Sequence, residues 1–148
     1  MKKFIITIFF SLPTLVISQD YNLCGLWWSD DYTCPGGINV PFELFFISQD
    51  DNGYVIATKI IGDDCVFTGD ITFEGLYGNN NPFDITFTTG SNGPPYSYMN
   101  GSINIINESH IQEQEFNIDY YKASCDEIAQ YQAQYNLDLS EYLNECCE

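Results

Sequence analysis

The sequence predicts an exported, mainly β protein: an antiparallel barrel or sandwich of about eight strands that ends in a helix. Three observations predict this class. A basic and then apolar segment opens the chain, short strand-like segments separated by turn residues fill the middle, and the apolar spacing takes a helical period near the C terminus. Regular strand spacing with short polar connections favours antiparallel pairing over βαβ units.

The N-terminal segment has the layout of a secretory signal peptide. Lys2 and Lys3 form a basic head, residues 4–18 are mostly apolar, and Ser18 is the small residue that signal peptidase accepts. The apolar run is short for a membrane span, and no second stretch of about 20 apolar residues follows it. We therefore expect a signal peptide at 1–18 and a single secreted, extracellular domain at 19–148, with no membrane insertion of the mature chain.

The mature segment is strongly acidic. Lys59 and Lys122 are its only basic side chains, and against the 21 acidic residues they leave a formal charge of −19. Phosphate backbones and anionic lipids need Lys and Arg for affinity, so we expect no nucleic-acid partner. The charge suits a basic protein or peptide partner, although it also serves solubility alone.

Six cysteines, an even number, all follow the signal segment. Export places them in an oxidising compartment, so three disulfides are expected. Connectivity is open among 15 pairings; a short Cys24–Cys34 loop would leave Cys65 and Cys125 for the C-terminal pair. Zinc is the competing interpretation, but there is no C-x-x-C and His110 is the only histidine, so we expect no metal and no cofactor. The predicted disulfide residues are Cys24, Cys34, Cys65, Cys125, Cys146 and Cys147.

Turn residues delimit the expected strands. Asp50-Asp51-Asn52-Gly53 is typical of a hairpin turn, since Asn-Gly tolerates positive φ, and it lacks the alternating ligands of a calcium loop. The expected strands cover 25–28, 42–48, 54–61, 71–73, 83–88, 96–99, 103–106 and 116–121.

A helix is expected after the strands. Ser124 and Glu127 match a capping box, and apolar residues then recur at helical spacing. Asn136 should interrupt this helix before a second short turn that Asp138 caps.

One run of the chain resembles a known domain. Residues 58–69, T-K-I-I-G-D-D-C-V-F-T-G, are similar to a T-K-x-T-G-D-P-x-x-P-x-G run of certain F-box substrate receptors and of the chloroplast EXECUTER proteins. Upstream, Gly25-Leu26-Trp27 and Glu43 also look similar to that domain. The matching residues of the run are Thr58, Lys59, Gly62, Asp63 and Gly69.

This resemblance implies a compact, lipocalin-like β-barrel that binds partners. The match departs at Ile61, Asp64 and Phe67, and no F-box segment is present, so ubiquitin-ligase activity is not implied. A Gly-x-Trp near the first strand and a helix after the barrel also resemble the lipocalin arrangement, which encloses a small apolar ligand. The mature chain is short for a lipocalin, so the other expectation is a barrel interior that side chains fill and that leaves no ligand cavity.

The sequence offers no catalytic constellation, and we expect no catalytic residue. His110 stands in a polar stretch, and no serine has a nucleophile-elbow sequence around it. Paired carboxylates could hydrolyse glycosides in principle, but spacing singles out no pair among so many acids.

Five aromatic residues are the candidate ligand-binding surface. Aromatic rings with nearby polar groups can stack on sugars, although core packing of alternate members is the competing interpretation. Asn100 and Asn107 begin glycosylation sequons. The candidate ligand-binding residues are Trp27, Trp28, Tyr32, Tyr96 and Tyr98.

The sequence thus predicts a secreted, acidic, noncatalytic binding module for a protein or peptide partner. The alternatives are a lipocalin-like carrier of a small apolar ligand and a structural extracellular or cell-wall component. An interior cavity of about 300 Å³ or more would favour the carrier, and a packed interior would favour partner binding.

The signal segment yields the first testable prediction. Secreted protein should begin near Gln19, because cleavage follows the small residue Ser18. N-terminal sequencing checks this, and secreted material that still starts at Met1 would contradict it.

Overall fold

Eight antiparallel strands close into a barrel in the computed structural model, which describes residues 21–34, 37–78, 80–90 and 93–142. Each strand pairs with the next along the chain, and β1 also pairs with β8 to close the barrel. The predicted signal peptide lies outside the described residues. The elements are β1 Gly25–Cys34, β2 Ile38–Gln49, β3 Tyr54–Ile61, β4 Ile71–Leu76, β5 Phe83–Thr89, β6 Ser97–Asn107, β7 His110–Glu113, β8 Ile118–Lys122 and α1 Cys125–Tyr135.

The barrel interior is filled by aromatic and branched side chains from alternate strand positions. Phe45 packs edge-on against Phe73 and Tyr120, with ring centroids 5.7 and 4.9 Å apart. Trp27 is fully buried in the same cluster and donates its indole N–H to the Leu23 carbonyl. Fully burying one such apolar side chain stabilises the fold by about 1.5–3 kcal/mol, so this cluster is the main driving force for barrel closure.

The β2–β3 connection is the hairpin turn that Asn-Gly predicts. Gly53 has φ of 79°, a left-handed conformation that glycine adopts without strain. Asp50 Oδ1 accepts hydrogen bonds from the backbone N–H groups of Asn52 and Tyr54. These bonds lower the pKa of Asp50, the bond from Tyr54 most.

Two predicted strands, 96–99 and 103–106, are one long strand, β6. Asn100-Gly101-Ser102 interrupts the apolar pattern, but the backbone stays extended and pairs with β5 through these residues. A Cβ on Gly101 would lie 2.7 Å from the Phe87 ring, so this glycine allows close packing and does not mark a turn.

Strand β7 was not predicted from the sequence. Ile111 and Glu113 are buried, while His110 and Gln112 are only half-buried. A strand with one apolar residue facing inward gives almost no alternation signal, which explains the omission.

Helix α1 lies against the outside of β1 and β2. Ser124 and Glu127 form the predicted capping box, and Asn136 ends the helix in a left-handed conformation. Ile128 is buried in a cluster with Leu26 and Leu44. The predicted second turn also forms, where Asp138 Oδ1 accepts a hydrogen bond from the Ser140 N–H. Within the described ranges, no helix is long and apolar enough to cross a membrane.

The observed disulfide joins Cys34 to Cys65, with Cα atoms 6.6 Å apart. It corrects both the expected Cys24–Cys34 pair and the expected pairing of Cys65 with a C-terminal cysteine. Cys24 precedes β1 and Cys34 ends it, and ten extended residues separate such positions by roughly 30 Å. A disulfide needs Cα atoms within about 7 Å, so that pair cannot form. Cys125 is also disulfide-bonded. Cys146 and Cys147 lie outside the described residues.

We expect the double substitution Cys34→Ser/Cys65→Ser to lower the free energy of unfolding by about 3–4 kcal/mol, because the bridge closes a loop of 31 residues. Denaturant unfolding of the oxidised proteins measures this. A change of under about 1 kcal/mol would show that the bridge does not stabilise the fold.

Candidate functional site

A buried ion cluster lies in the barrel wall between β2 and β3. The Lys59 ammonium contacts the Glu43 carboxylate directly, and Asp63 Oδ2 lies 2.9 Å from the same nitrogen. The Lys59 and Glu43 side chains are 1% and 0% exposed. Burial lowers the pKa of Lys59, but the charges of Glu43 and Asp63 raise it more, so that this pKa lies above its usual range.

Two tyrosines face the Glu43 carboxylate. Burial raises the pKa of Tyr32 and Tyr120, and the Glu43 charge raises it further. Among the described residues, no group makes a hydrogen bond of normal geometry to Glu43 Oε1. Hydrogen bonds of the two tyrosine side chains with Glu43 also contribute to these pKa shifts, so the carboxylate has polar neighbours besides Lys59.

Asp63 also builds the corner between β3 and β4. Its Oδ1 accepts hydrogen bonds from the N–H groups of Cys65 and Val66, at 2.7 and 2.9 Å. Gly62 precedes it, and a Cβ there would lie 2.4 Å from the backbone nitrogen of Thr68. The corner thus needs a glycine followed by an acceptor, which explains why Gly-Asp occurs at this point of the chain.

The barrel interior has little free space. One cavity of about 40 Å³ is lined by Tyr32, Lys59, Thr72, Glu113 and other residues. This volume has room for one or two water molecules but not for an apolar ligand. The Thr72 hydroxyl is buried there and has no hydrogen-bond partner among the described residues.

Glu113 contributes a carboxylate to the lining of this cavity. Its carboxylate accepts hydrogen bonds from the N–H groups of Glu115 and Phe116, both at 2.8 Å. Burial, and then a hydrogen bond with the Glu115 side chain, raises the pKa of Glu113 to about 7, although the two N–H bonds act in the opposite direction. Glu113 therefore titrates near neutral pH.

The outer surface of β4, β5 and β6 carries two adjoining clefts, of about 460 and 560 Å³. Glu74 and Thr86 line both, and they face each other across the β4–β5 ladder. We call this surface the outer cleft. Its side chains are Tyr54, Asp70, Ile71, Glu74, Asp84, Thr86, Tyr96, Tyr98 and Asn100.

Tyrosine–carboxylate pairs occur in both parts of the outer cleft. The Tyr96 hydroxyl donates to Asp70 Oδ2, and burial and then this bond raise the pKa of Tyr96. In the other part, a hydrogen bond with Glu74 is the main cause of a raised Tyr54 pKa. The cleft thus combines exposed rings with negative charge.

The structure does not bring the five predicted ligand-binding aromatics together. Trp27 is fully buried in the core, and Tyr32 points toward the interior, where its hydroxyl lies 3.4 Å from Asp63 Oδ2. Trp28 is half-buried on the other face of β1, with its ring 5.2 Å from Tyr121 and 6.4 Å from Phe42.

Tyr96 and Tyr98 alone of the five lie in the outer cleft, where Tyr98 is 70% exposed. Sequence reasoning missed the carboxylates of the outer cleft. Glu74 of β4 lines the same part as Tyr96 and Tyr98, and Asp84 of β5 lines the other part, with Tyr54. Strand alternation could have placed these acids on the outer face, but only the strand pairing shows which tyrosines they adjoin.

The two predicted glycosylation sites differ in position. Asn107 is exposed in the β6–β7 turn, and its Oδ1 accepts hydrogen bonds from the N–H and the hydroxyl of Ser109. Asn100 is exposed in the middle of β6 and lines the outer cleft. Glycosylation at both positions stays a prediction; a glycan at Asn100 would cover part of the cleft.

His110 has structural partners. Its Nε2 lies 2.8 Å from Asp119 Oδ1, and its ring stacks on Tyr121 with centroids 4.7 Å apart. In the part of the chain that the structure describes, no group of three His, Cys, Asp or Glu side chains is arranged to hold a metal ion.

Comparisons with protein-family models, with curated proteins and with solved structures find no match to this chain.

Glu113 should make stability fall as the pH rises. In the unfolded chain a glutamate titrates near pH 4.3, whereas the folded state keeps this proton up to about pH 7. The stabilising contribution is therefore complete below about pH 4.3 and is lost as the pH rises through 7. The side chain of the Glu113→Gln variant stays neutral at every pH. Relative to wild type, the free energy of unfolding of this variant should therefore increase by about 1–2 kcal/mol from pH 5 to pH 8, once solvent screening is allowed for.

Denaturant unfolding at several pH values measures this difference. Glu108→Gln removes one carboxylate from the exposed β6–β7 turn and is the matched control. Parallel pH profiles for Glu113→Gln and wild type would contradict the assignment.

Proposed function

We propose that this protein is a secreted, noncatalytic binding module whose outer cleft takes a basic protein or peptide segment. The observation that carries the proposal is the contrast between the two sides of the barrel wall. The interior has about 40 Å³ of free space, whereas the outer cleft has about 460 and 560 Å³ in its two parts.

The charge distribution supports a basic partner. Asp70, Glu74 and Asp84 line the outer cleft, and Lys59 is buried where it cannot oppose them. The other lysine of the mature segment, Lys122, lies on β8, away from β4–β6. Its ammonium donates a hydrogen bond to the Asn22 carbonyl. A cationic segment would therefore meet a negative surface with no nearby competing cation.

Exposed rings supply the apolar part of such a contact. Tyr98 is 70% exposed and Ile71 is 40% exposed, and both lie beside the carboxylates. Tyrosine provides a large contact area with few rotatable bonds, which is why it is enriched at interfaces. The cleft is thus suited to a segment that combines Lys or Arg with apolar side chains.

The other two candidate functions have less support. A carrier of a small apolar ligand needs a cavity of about 300 Å³ or more, and the interior space is about 40 Å³. A structural extracellular component needs no concave surface of this kind. The resemblance to the lipocalin-like domain of F-box receptors and EXECUTER proteins agrees with partner binding. This resemblance is itself a proposal.

A peptide-display selection against unglycosylated mature protein tests the proposed function. Selected peptides should be enriched in Lys or Arg. Because exposed ion pairs contribute roughly 0.2–1 kcal/mol each, Glu74→Gln/Asp84→Asn should weaken binding of a selected peptide by roughly threefold to tenfold.

The control variant Glu108→Gln/Glu141→Gln removes two exposed carboxylates elsewhere and should change the dissociation constant less than twofold. Affinity should also fall between 0.1 and 1 M salt, where the Debye length drops from about 10 to 3 Å. Equal effects of both double variants, or binding indifferent to salt, would contradict the role of the outer cleft.

A further inference from the structure

The contact between Lys59 and Glu43 joins a nucleophile to an electrophilic centre inside the barrel wall. The amine of Lys59 touches the Glu43 carboxylate, and their side chains are 1% and 0% exposed. Glu43 lies on β2 and Lys59 on β3, beside a bulge between Leu44 and Phe45. Lys59 also lines the interior cavity of about 40 Å³.

A third group is placed to move protons between them. Asp63 Oδ2 lies 2.9 Å from Lys59 Nζ. The other oxygen of Asp63 is fixed by the N–H groups of Cys65 and Val66, so the carboxylate cannot rotate away. An acid–base group held within hydrogen-bond distance of a reacting nitrogen meets the geometric requirement for proton transfer.

Bulky rings surround the contact. Tyr120 and Phe45 are buried, with ring centroids 4.9 Å apart, and Tyr120 lies close enough to Glu43 for the carboxylate charge to raise its pKa. This environment limits water to the cavity of about 40 Å³ that Lys59 and Tyr120 line. Water is both the product of amide formation and the reagent that reverses it.

We propose that Lys59 and Glu43 are joined by an intramolecular amide bond that forms once the barrel has folded. Asp63 relays one proton from the Lys59 ammonium to the Glu43 carboxylate, and the neutral amine then attacks Cδ of the resulting carboxylic acid. The new N–Cδ bond replaces one C–O bond of Glu43, and that oxygen leaves with two protons delivered through Asp63. The ammonium and the carboxylate become one neutral amide and one water molecule, and no oxidant or other co-reactant is needed.

The buried site favours this reaction for two reasons. Groups held in contact react with effective molarities of roughly 10⁵–10⁸ M, so proximity replaces chemical activation. The product is neutral, whereas the reactants are an ion pair that is costly to keep away from water. The amide would also tie β2 to β3 covalently.

Intact-mass measurement of the fully reduced and unfolded protein tests the bond. The wild-type mass should be lower than the sequence mass by one water molecule, and tandem mass spectrometry should find residues 43 and 59 in one branched peptide. Lysyl endopeptidase should cut after Lys122 but not after Lys59. A full sequence mass together with cleavage after Lys59 would overturn the proposal.

Substitutions separate the bond from other losses of mass. The Lys59→Arg variant should show its full sequence mass, because a guanidinium stays protonated in proteins and does not act as a nucleophile. The matched control Lys122→Arg should still lack one water molecule. Glu43→Gln should lose ammonia in place of water as it forms the same amide. Assigning the branched peptide excludes confusion with cyclisation of an N-terminal Gln19.

Asp63→Asn tests the proton carrier. Asparagine still accepts the two corner N–H bonds but cannot accept the lysine proton, so the folded variant should keep its full mass. Circular dichroism and an intact Cys34–Cys65 bridge verify folding. Loss of water at the wild-type rate in this variant would overturn the role of Asp63.

Discussion

The rest of the structure depends on the buried Lys59 side chain, which is held between Glu43 and Asp63. Lys59 lies on β3, Glu43 on β2 and Asp63 in the β3–β4 corner, so a single nitrogen connects three parts of the barrel wall. Removing one partner of a buried ion pair typically costs 3–5 kcal/mol, because the remaining charge stays desolvated. The neighbouring Cys34–Cys65 bridge attaches the same corner to the end of β1. This end of the barrel is therefore fixed by charge, by hydrogen bonds and by a covalent link.

That fixed interior determines where a ligand can bind. The aromatic core and the ion cluster leave about 40 Å³ of internal space, so a partner has to use the outer wall. Helix α1 covers the outside of β1 and β2. Strands β4–β6 carry two open clefts, larger than the cleft of about 380 Å³ between β2 and the β3–β4 corner, and their exposed faces hold carboxylates and tyrosines. Packing thus directs the proposed function to the uncovered side of the barrel.

Local signals in the sequence predicted most of the fold. The Asn52-Gly53 turn, the Ser124–Glu127 capping box and the alternation in β5 each depend on residues close in the chain, and the structure contains all three. Pairing across the barrel carries no such signal. The Cys34–Cys65 bridge depends on where the β3–β4 corner lies relative to the end of β1, which spacing along the chain does not reveal.

The candidate sites were less accessible to sequence reasoning for the same physical reason. Lys59 and Glu43 are 16 residues apart, and each taken alone has the character of a surface residue. One signal could have indicated otherwise: Lys59 follows Val55 and Ala57 at the alternate, inward positions of β3. In so acidic a chain, a lysine at an inward position requires a buried carboxylate as its partner. The scarcity of basic residues therefore makes Lys59 more informative than any single acid, because its charge has to be compensated inside the barrel.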